Sequence, residues 1–248
     1  MSDRKNLIHV LNKRVALYQA PQGFRTSMDS VMLAASCPAK PNESILDLGC
    51  GVGSAGICVL QRVPKTDLTG VEIQKDHIEL SIKNADENGF GSRANFICDD
   101  VKKLEIETFN HVICNPPYME AGAHLNSPSP SKAKAMGYIN ENDTLQDWVT
   151  CAHKHIKGQG SLSIIHDAGH VDSIIHALYG KSGGKRFGAI EIIPIFSRKD
   201  TPAKRVIIRA YKHKKSNASI LSGIVMHKDD GSYTNDADEI LRHAKPLF

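Results

Sequence analysis

The chain has 248 residues, 41% of them apolar, and a formal net charge of +4, enough sequence for one substantial core with at most a small appendage. No apolar run approaches the length of a membrane span, and Met1-Ser2-Asp3-Arg4-Lys5 leads into no signal-peptide core, so no membrane partner is expected. Six cysteines at 37, 50, 58, 98, 114 and 151 form no CxxC pair, and they read as small buried hydrophobes of a reduced, cytoplasmic protein.

In chain order, Gln22-Gly23-Phe24-Arg25-Thr26-Ser27-Met28-Asp29 precedes an apolar helix over residues 30–36. Residues 44–49 read as a first strand, and the glycine-rich turn Asp47-Leu48-Gly49-Cys50-Gly51-Val52-Gly53 leads into a helix over 54–62. A strand over 67–73 is followed by a helix over 76–88 that Gly89 ends. Strands over 94–98 and 109–114 come next, then Asn115-Pro116-Pro117-Tyr118 and a Ser-, Pro- and Lys-rich loop over 119–143. A helix over 144–155, a strand over 161–166 and a helix over 170–179 complete the alternation. It predicts an α/β doubly wound sheet, mostly parallel. Segments 187–196 and 205–211 read as a closing antiparallel pair. Residues 1–215 thus form one domain, and 216–248 a short C-terminal extension in which 220–227 and the Asp229-Asp230-Gly231-Ser232 turn suggest a β-hairpin.

Two prolines directly after a strand fix two φ angles and remove two backbone donors, and Asn115 before them is biased to extended backbone. Its carboxamide is therefore held rigidly at a carboxyl end of the sheet, where ligands of open α/β sheets bind. The Asn115 amide oxygen and the Pro116 carbonyl can each accept one hydrogen of a planar amino group, while Tyr118 stacks on the ring bearing it. The bland alternative is a Pro-Pro strand terminator with a buried tyrosine.

Gly51-Val52-Gly53-Ser54-Ala55-Gly56 is also a literal GxGxxG, so a nicotinamide dehydrogenase has to be weighed. Asp47 argues against it: a carboxylate at the end of strand 1 repels a pyrophosphate and attracts a sulfonium and an α-ammonium group. Gly49, Gly51 and Gly53 let the backbone turn sharply beside a ligand. Glu72, closing strand 2, can accept both ribose hydroxyls, a feature shared with dehydrogenases.

Together the glycine turn and the NPPY tetrapeptide resemble the class I S-adenosylmethionine-dependent methyltransferases that modify an exocyclic or amide nitrogen, over about residues 20–215. The resemblance implies a Rossmann-like, seven-stranded sheet with an antiparallel C-terminal strand and S-adenosyl-L-methionine as cofactor. It implies Asn115, Pro116 and Tyr118 as catalytic residues, with Asn115 also at the cofactor. Asp47, Gly49, Gly51, Gly53 and Glu72 then bind the cofactor, Asp100 its adenine, and Thr26 and Asp29 its methionine end. A cap for the following turn is the competing role for Asp100, and a helix cap for Asp29.

Two targets of that family present a planar NH2: adenine N6 in nucleic acid and the glutamine amide of a protein. The short segment before the cofactor region, the Gln22–Ala34 run and the basic C-terminal third look like the family's bacterial tRNA-modifying branch, which acts on adenine N6 beside an anticodon. The C-terminal extension departs from its compact members. Between residues 181 and 215 eleven Lys/Arg face two acids, a local +9 against −5 for the rest, which points to RNA docking on one face. Lys132, Lys134, Arg198, Lys199, Lys204 and Arg205 are the expected RNA contacts. A catalytically silent RNA-binding protein on the same scaffold is the remaining reading. No metal is expected, because His153 and His155 lie two apart on a helix and no HExxH or Cys/His cluster is present.

Overall fold

The computed structural model describes residues 6–20, 26–117, 144–179 and 186–247. Tyr118, Lys132 and Lys134 lie outside the described residues.

The alternation seen in the sequence builds one sheet. Its parallel strands are β3 (Ser44–Leu48), β4 (Asp67–Glu72), β5 (Ala94–Cys98), β6 (Phe109–Cys114) and β7 (Ile156–Asp167). β9 (Ala203–Lys212) runs antiparallel between β7 and β8 (Phe187–Arg198). The seven neighbours lie in the order β5-β4-β3-β6-β7-β9-β8, so the chain starts in the middle, winds outward to β5, and returns to β6 on the other side of β3. That reversal between β3 and β6 is the switch point where open α/β sheets bind ligands.

Strand side chains alternate between two cores. On one face Ile45, Ile113, Ile165 and Ile193 pack with α1 (Met28–Ser36) and α2 (Ser54–Arg62). On the other, Leu46, Leu48, Val112, Cys114 and Ile164 pack with α4 (Leu145–His155) and α5 (Val171–Tyr179). α3 (Lys75–Glu87) lies between β4 and β5 in sequence and adds Ala85 to the first core. The five cysteines at 37, 50, 58, 114 and 151 are buried thiols, and Cys98 is exposed.

Three features differ from the sequence expectation. Among the described residues the sheet has nine strands, because β10 (Ser219–Ile220) and β11 (Ile224–His227) both add parallel to β8. The chain does fold back at the expected Asp229–Ser232 turn, with His227 bridged antiparallel to Tyr233 and Lys228 N donating to Ser232 O at 2.8 Å, but the run over 220–227 pairs with β8. The tail also contributes Ile224, Met226 and, from α6 (Asn235–His243), Ala237 and Ile240 to the first core, so it packs as part of the same body. Finally, β1 (Leu7–Val10) and β2 (Val15–Tyr18) form an N-terminal hairpin. Asn84 of α3 holds β2 by accepting from Tyr18 N at 2.7 Å and donating to Tyr18 O at 3.0 Å, and Asn88 bonds both backbone groups of Ala16.

Candidate active site at the carboxyl edge of the sheet

β3 and β6 are adjacent, with Leu48 opposite Cys114, so the glycine turn and Asn115-Pro116-Pro117 leave the sheet side by side. Asn115 is partly buried and Pro116 buried. All peptide bonds described are trans.

The glycines of the turn do different jobs. A Cβ on Gly49 would lie 2.6 Å from Trp148 Cη2, so this glycine makes room for the indole of α4. Gly51 has φ +55°, and a Cβ there would meet nothing within 4 Å, which leaves its backbone open on the ligand side. Gly53, also at positive φ, caps the start of α2.

Glu72 is buried, and its carboxylate spans the next gap. Its Oε2 accepts from Gly51 N at 3.1 Å and its Oε1 from Gln74 N at 2.9 Å. An ionised carboxylate has about four acceptor positions; Oε1 also takes Gln74 Nε2 at 3.4 Å, so Oε2 is the oxygen that keeps capacity for a hydroxyl donor. The Glu72 carboxylate and the open Gly51 backbone together fit a ribose.

Asp47 is more enclosed than the sequence suggested. It is 2% exposed, and its Oδ2 accepts from Gly56 N at 3.0 Å, tying the end of β3 to the first turn of α2. Burial pushes its carboxyl up to about 7; the Gly56 bond pulls it down, and the nearby Glu72 adds to the rise. A cation placed beside it would favour the ionised form.

Asp100 follows β5, where its Oδ1 accepts from Lys102 N at 2.9 Å, so the turn-capping role is filled; Asp99 Oδ1 takes the Asp100 N–H at 2.7 Å. Thr26 Oγ1 lies 2.5 Å from Ser54 Oγ at the start of α2, which sets the segment before α1 against the glycine turn. Ser27 is the N-cap of α1 and accepts from Asp29 N.

Asp29 and Arg205 correct the expectation for both. The Asp29 carboxylate is buried and accepts from Arg205 Nε at 3.1 Å, while Arg205 Nη1 reaches Asp167 at 3.2 Å. Arg205 is thus a strut from the ends of β7 and β9 to α1, and its charge is offset within the fold. Arg198, Lys199 and Lys204 are exposed at the β8–β9 turn, and among the described residues none of the three is in an ion pair. Because β8 runs parallel to β7, this turn lies on the same edge as Asn115.

Sequence reasoning missed Trp148, the Gly56 contact of Asp47 and the Arg205 strut. The first had a signal, a lone tryptophan one turn into an amphipathic helix; the others depend on contacts between distant segments. Among the described residues no group of His, Cys, Asp and Glu is arranged to hold a metal ion, and no helix is long and apolar enough to cross a membrane.

Residues 25–129 match the sequence profile of the methyltransferase small domain. A protein of Vibrio campbellii named tRNA1(Val) (adenine(37)-N6)-methyltransferase is 30% identical over 62% of this chain, which spans 63% of that relative's length. A protein of the same name from Shewanella baltica is 24% identical over 89% of this chain and 91% of its own. A solved structure from Agrobacterium tumefaciens, described as a predicted O-methyltransferase, superposes with a TM-score of 0.69 at 26% identity, covering 86% of this chain and 94% of that one. That superposition gives the fold, a mostly parallel α/β sheet closed by an antiparallel strand.

Proposed function

We propose that this chain is an S-adenosylmethionine-dependent N-methyltransferase acting on the exocyclic N6 of an adenine in RNA, with a tRNA near its anticodon as substrate. The observation that carries the reading is the register of Leu48 with Cys114, which sets Asn115-Pro116-Pro117 beside the cofactor turn. The curated names of the Vibrio and Shewanella relatives support the choice of target and of RNA.

The bound cofactor supplies an electrophilic methyl group on a sulfonium. Glu72 and the open backbone at Gly51 would hold its ribose, and Asp100 the amino group of its adenine. Asn115 Oδ1 and the Pro116 carbonyl would accept the two N6 hydrogens of the target base, drawing that nitrogen toward tetrahedral geometry so that its lone pair can attack. The nitrogen then loses one proton to solvent, and no strong general base is needed. Most of the rate comes from positioning, which can lower a barrier by about 7–11 kcal/mol. A loop adenine is accessible or readily splayed, so extrusion costs little.

Arg198, Lys199 and Lys204 would hold phosphates, being exposed and unpaired among described residues on the edge that bears Asn115. The test sets bulk tRNA and a release factor side by side with methyl-labelled cofactor. Label is expected in RNA; label in the protein alone would mean a glutamine-directed enzyme, and no label with intact RNA binding a silent module.

A further inference from the structure

The hairpin β1–β2 turns through three consecutive residues at positive φ, Leu11, Asn12 and Lys13. Its tip is pinned to the far end of the chain: Arg14 Nη2 donates to the carbonyl of Arg242 in α6, and Arg14 Nε to that of Leu11 at 3.1 Å. Between this tip, the start of α1 and α6 lies a groove of about 440 Å³. Its floor is apolar, with Leu11, Met28 and Val31, and its rim carries His9, Lys13 and Arg242. No Asp or Glu lines it among the described residues.

Both ends of the groove lead to the site already described. Thr26, at one end, touches Ser54 at the start of α2. Tyr233, in the wall, stacks on His227 with ring centroids 5.1 Å apart and planes at 28°. His227 sits opposite Arg198 in the pairing of β11 with β8, which links the Tyr233 wall to the strand that ends in the exposed cations of the β8–β9 turn. The C-terminal segment that supplies Tyr233 and Arg242 is thereby placed where a substrate bound at the carboxyl edge would extend.

We propose that this groove receives an RNA strand flanking the target adenine, with Tyr233 as a stacking platform for a base and Lys13 and Arg242 as phosphate contacts. The proposal rests on the RNA reading above. A cationic rim without carboxylates over an apolar floor suits a strand that presents phosphates on one side and base faces on the other. Stacking tolerates any base, so the groove would add affinity and register rather than sequence choice. Arg242 Nε is paired with Asp238 at 3.0 Å, which weakens its pull; Lys13, exposed and outside any ion pair among the described residues, is then the stronger phosphate contact.

The test uses the full chain and an unmodified tRNA transcript. Lys13→Ala with Arg242→Ala should lower the slope of log K against log [salt] by about one to two, at about 0.7–0.9 per phosphate contact. Tyr233→Ala should weaken tRNA binding about tenfold, as loss of one base–aromatic stack does, and Tyr233→Phe should not. Cofactor affinity should stay at the wild-type value in all three, which also reports that the fold is intact. Wild-type methylation of the transcript with unchanged binding by every variant would overturn the groove while leaving the RNA reading in place. A wild-type protein that neither binds nor methylates tRNA would remove both. Variants that lose transfer to a release factor while tRNA binding holds would replace the RNA strand with a protein partner, and so overturn the proposal.

Discussion

The two edges of this sheet carry similar charge and use it in opposite ways. At the amino edge the polar groups are spent on one another. Asn110 Oδ1 accepts from Ser44 N and from Lys157 Nζ, and His111 bridges Glu43 at 2.9 Å and Ser161 at 2.8 Å. Lys212 Nζ donates to the carbonyls of His153 and Ile156, closing the end of α4, and Arg186 donates to Thr150. At the carboxyl edge Arg198, Lys199 and Lys204 are exposed and unpaired among the described residues, beside Asn115 and the open Gly51. Among the described cations of the +9 run, Arg186, Arg205, Arg209 and Lys212 fasten helices and strands, while Arg198, Lys199 and Lys204 are open to a ligand.

The largest effect that would sharpen this contrast is expected at Asn115. Asn115→Ala should lower methyl transfer by roughly 10²–10³ and leave cofactor affinity within a few-fold, because one hydrogen bond made in the transition state is lost from a water-excluded site. Single-turnover kinetics beside calorimetry would separate the two, and near-normal turnover would remove the carboxyl-edge assignment. Glu72→Ala should do the reverse and weaken S-adenosylmethionine binding by about one to two decades. A charge-assisted hydrogen bond contributes about 1.5–3 kcal/mol, and Gly51 N would also lose its acceptor.

The comparison itself can be broken by charge removal on either edge. Arg198→Ala, Lys199→Ala and Lys204→Ala together should reduce the salt slope of tRNA binding by about two to three. Lys214→Ala with Lys215→Ala on the amino edge should leave it unchanged, since Lys214 lies over the Tyr211 ring at 3.8 Å and faces away from Asn115. Equal losses from both edges would mean that charge alone, not its place, governs docking.

The smallest effect concerns Asp47. Its carboxyl is raised in the fold to about 7, so the preference for the protonated form is fully present below the unfolded value of about 3.9. It is lost as pH rises through about 7. The unliganded chain should therefore lose stability between about pH 4 and 7, and Asp47→Asn should flatten that slope in denaturant unfolding. A slope unchanged in the variant would place the pH dependence elsewhere.

The parallel sheet, its helices and the site loops were legible because hydrophobic periodicity and glycine and proline punctuation are local signals. The helix over 54–62 and the strand over 109–114 fall where the sequence puts them, and the strand expected over 67–73 ends one residue earlier, at Glu72. The tail was not legible, because an apolar run such as Ile224–His227 pairs equally well with its own neighbour or with the free edge of β8, and only the sheet decides. The N-terminal hairpin was hidden for a related reason: its anchors, Asn84 of α3 and its C-cap Asn88, meet it only across 66 and 72 positions of sequence. Arg205 shows the same limit at the site, since its place in a basic run says nothing of Asp29, 176 positions away in sequence.

The most direct test of the central claim is nucleoside analysis of an unmodified tRNA transcript after incubation with the protein and methyl-labelled S-adenosylmethionine. The account predicts label in N6-methyladenosine, abolished by Asn115→Ala. Label on another atom of the RNA, or only on a protein substrate, would contradict it.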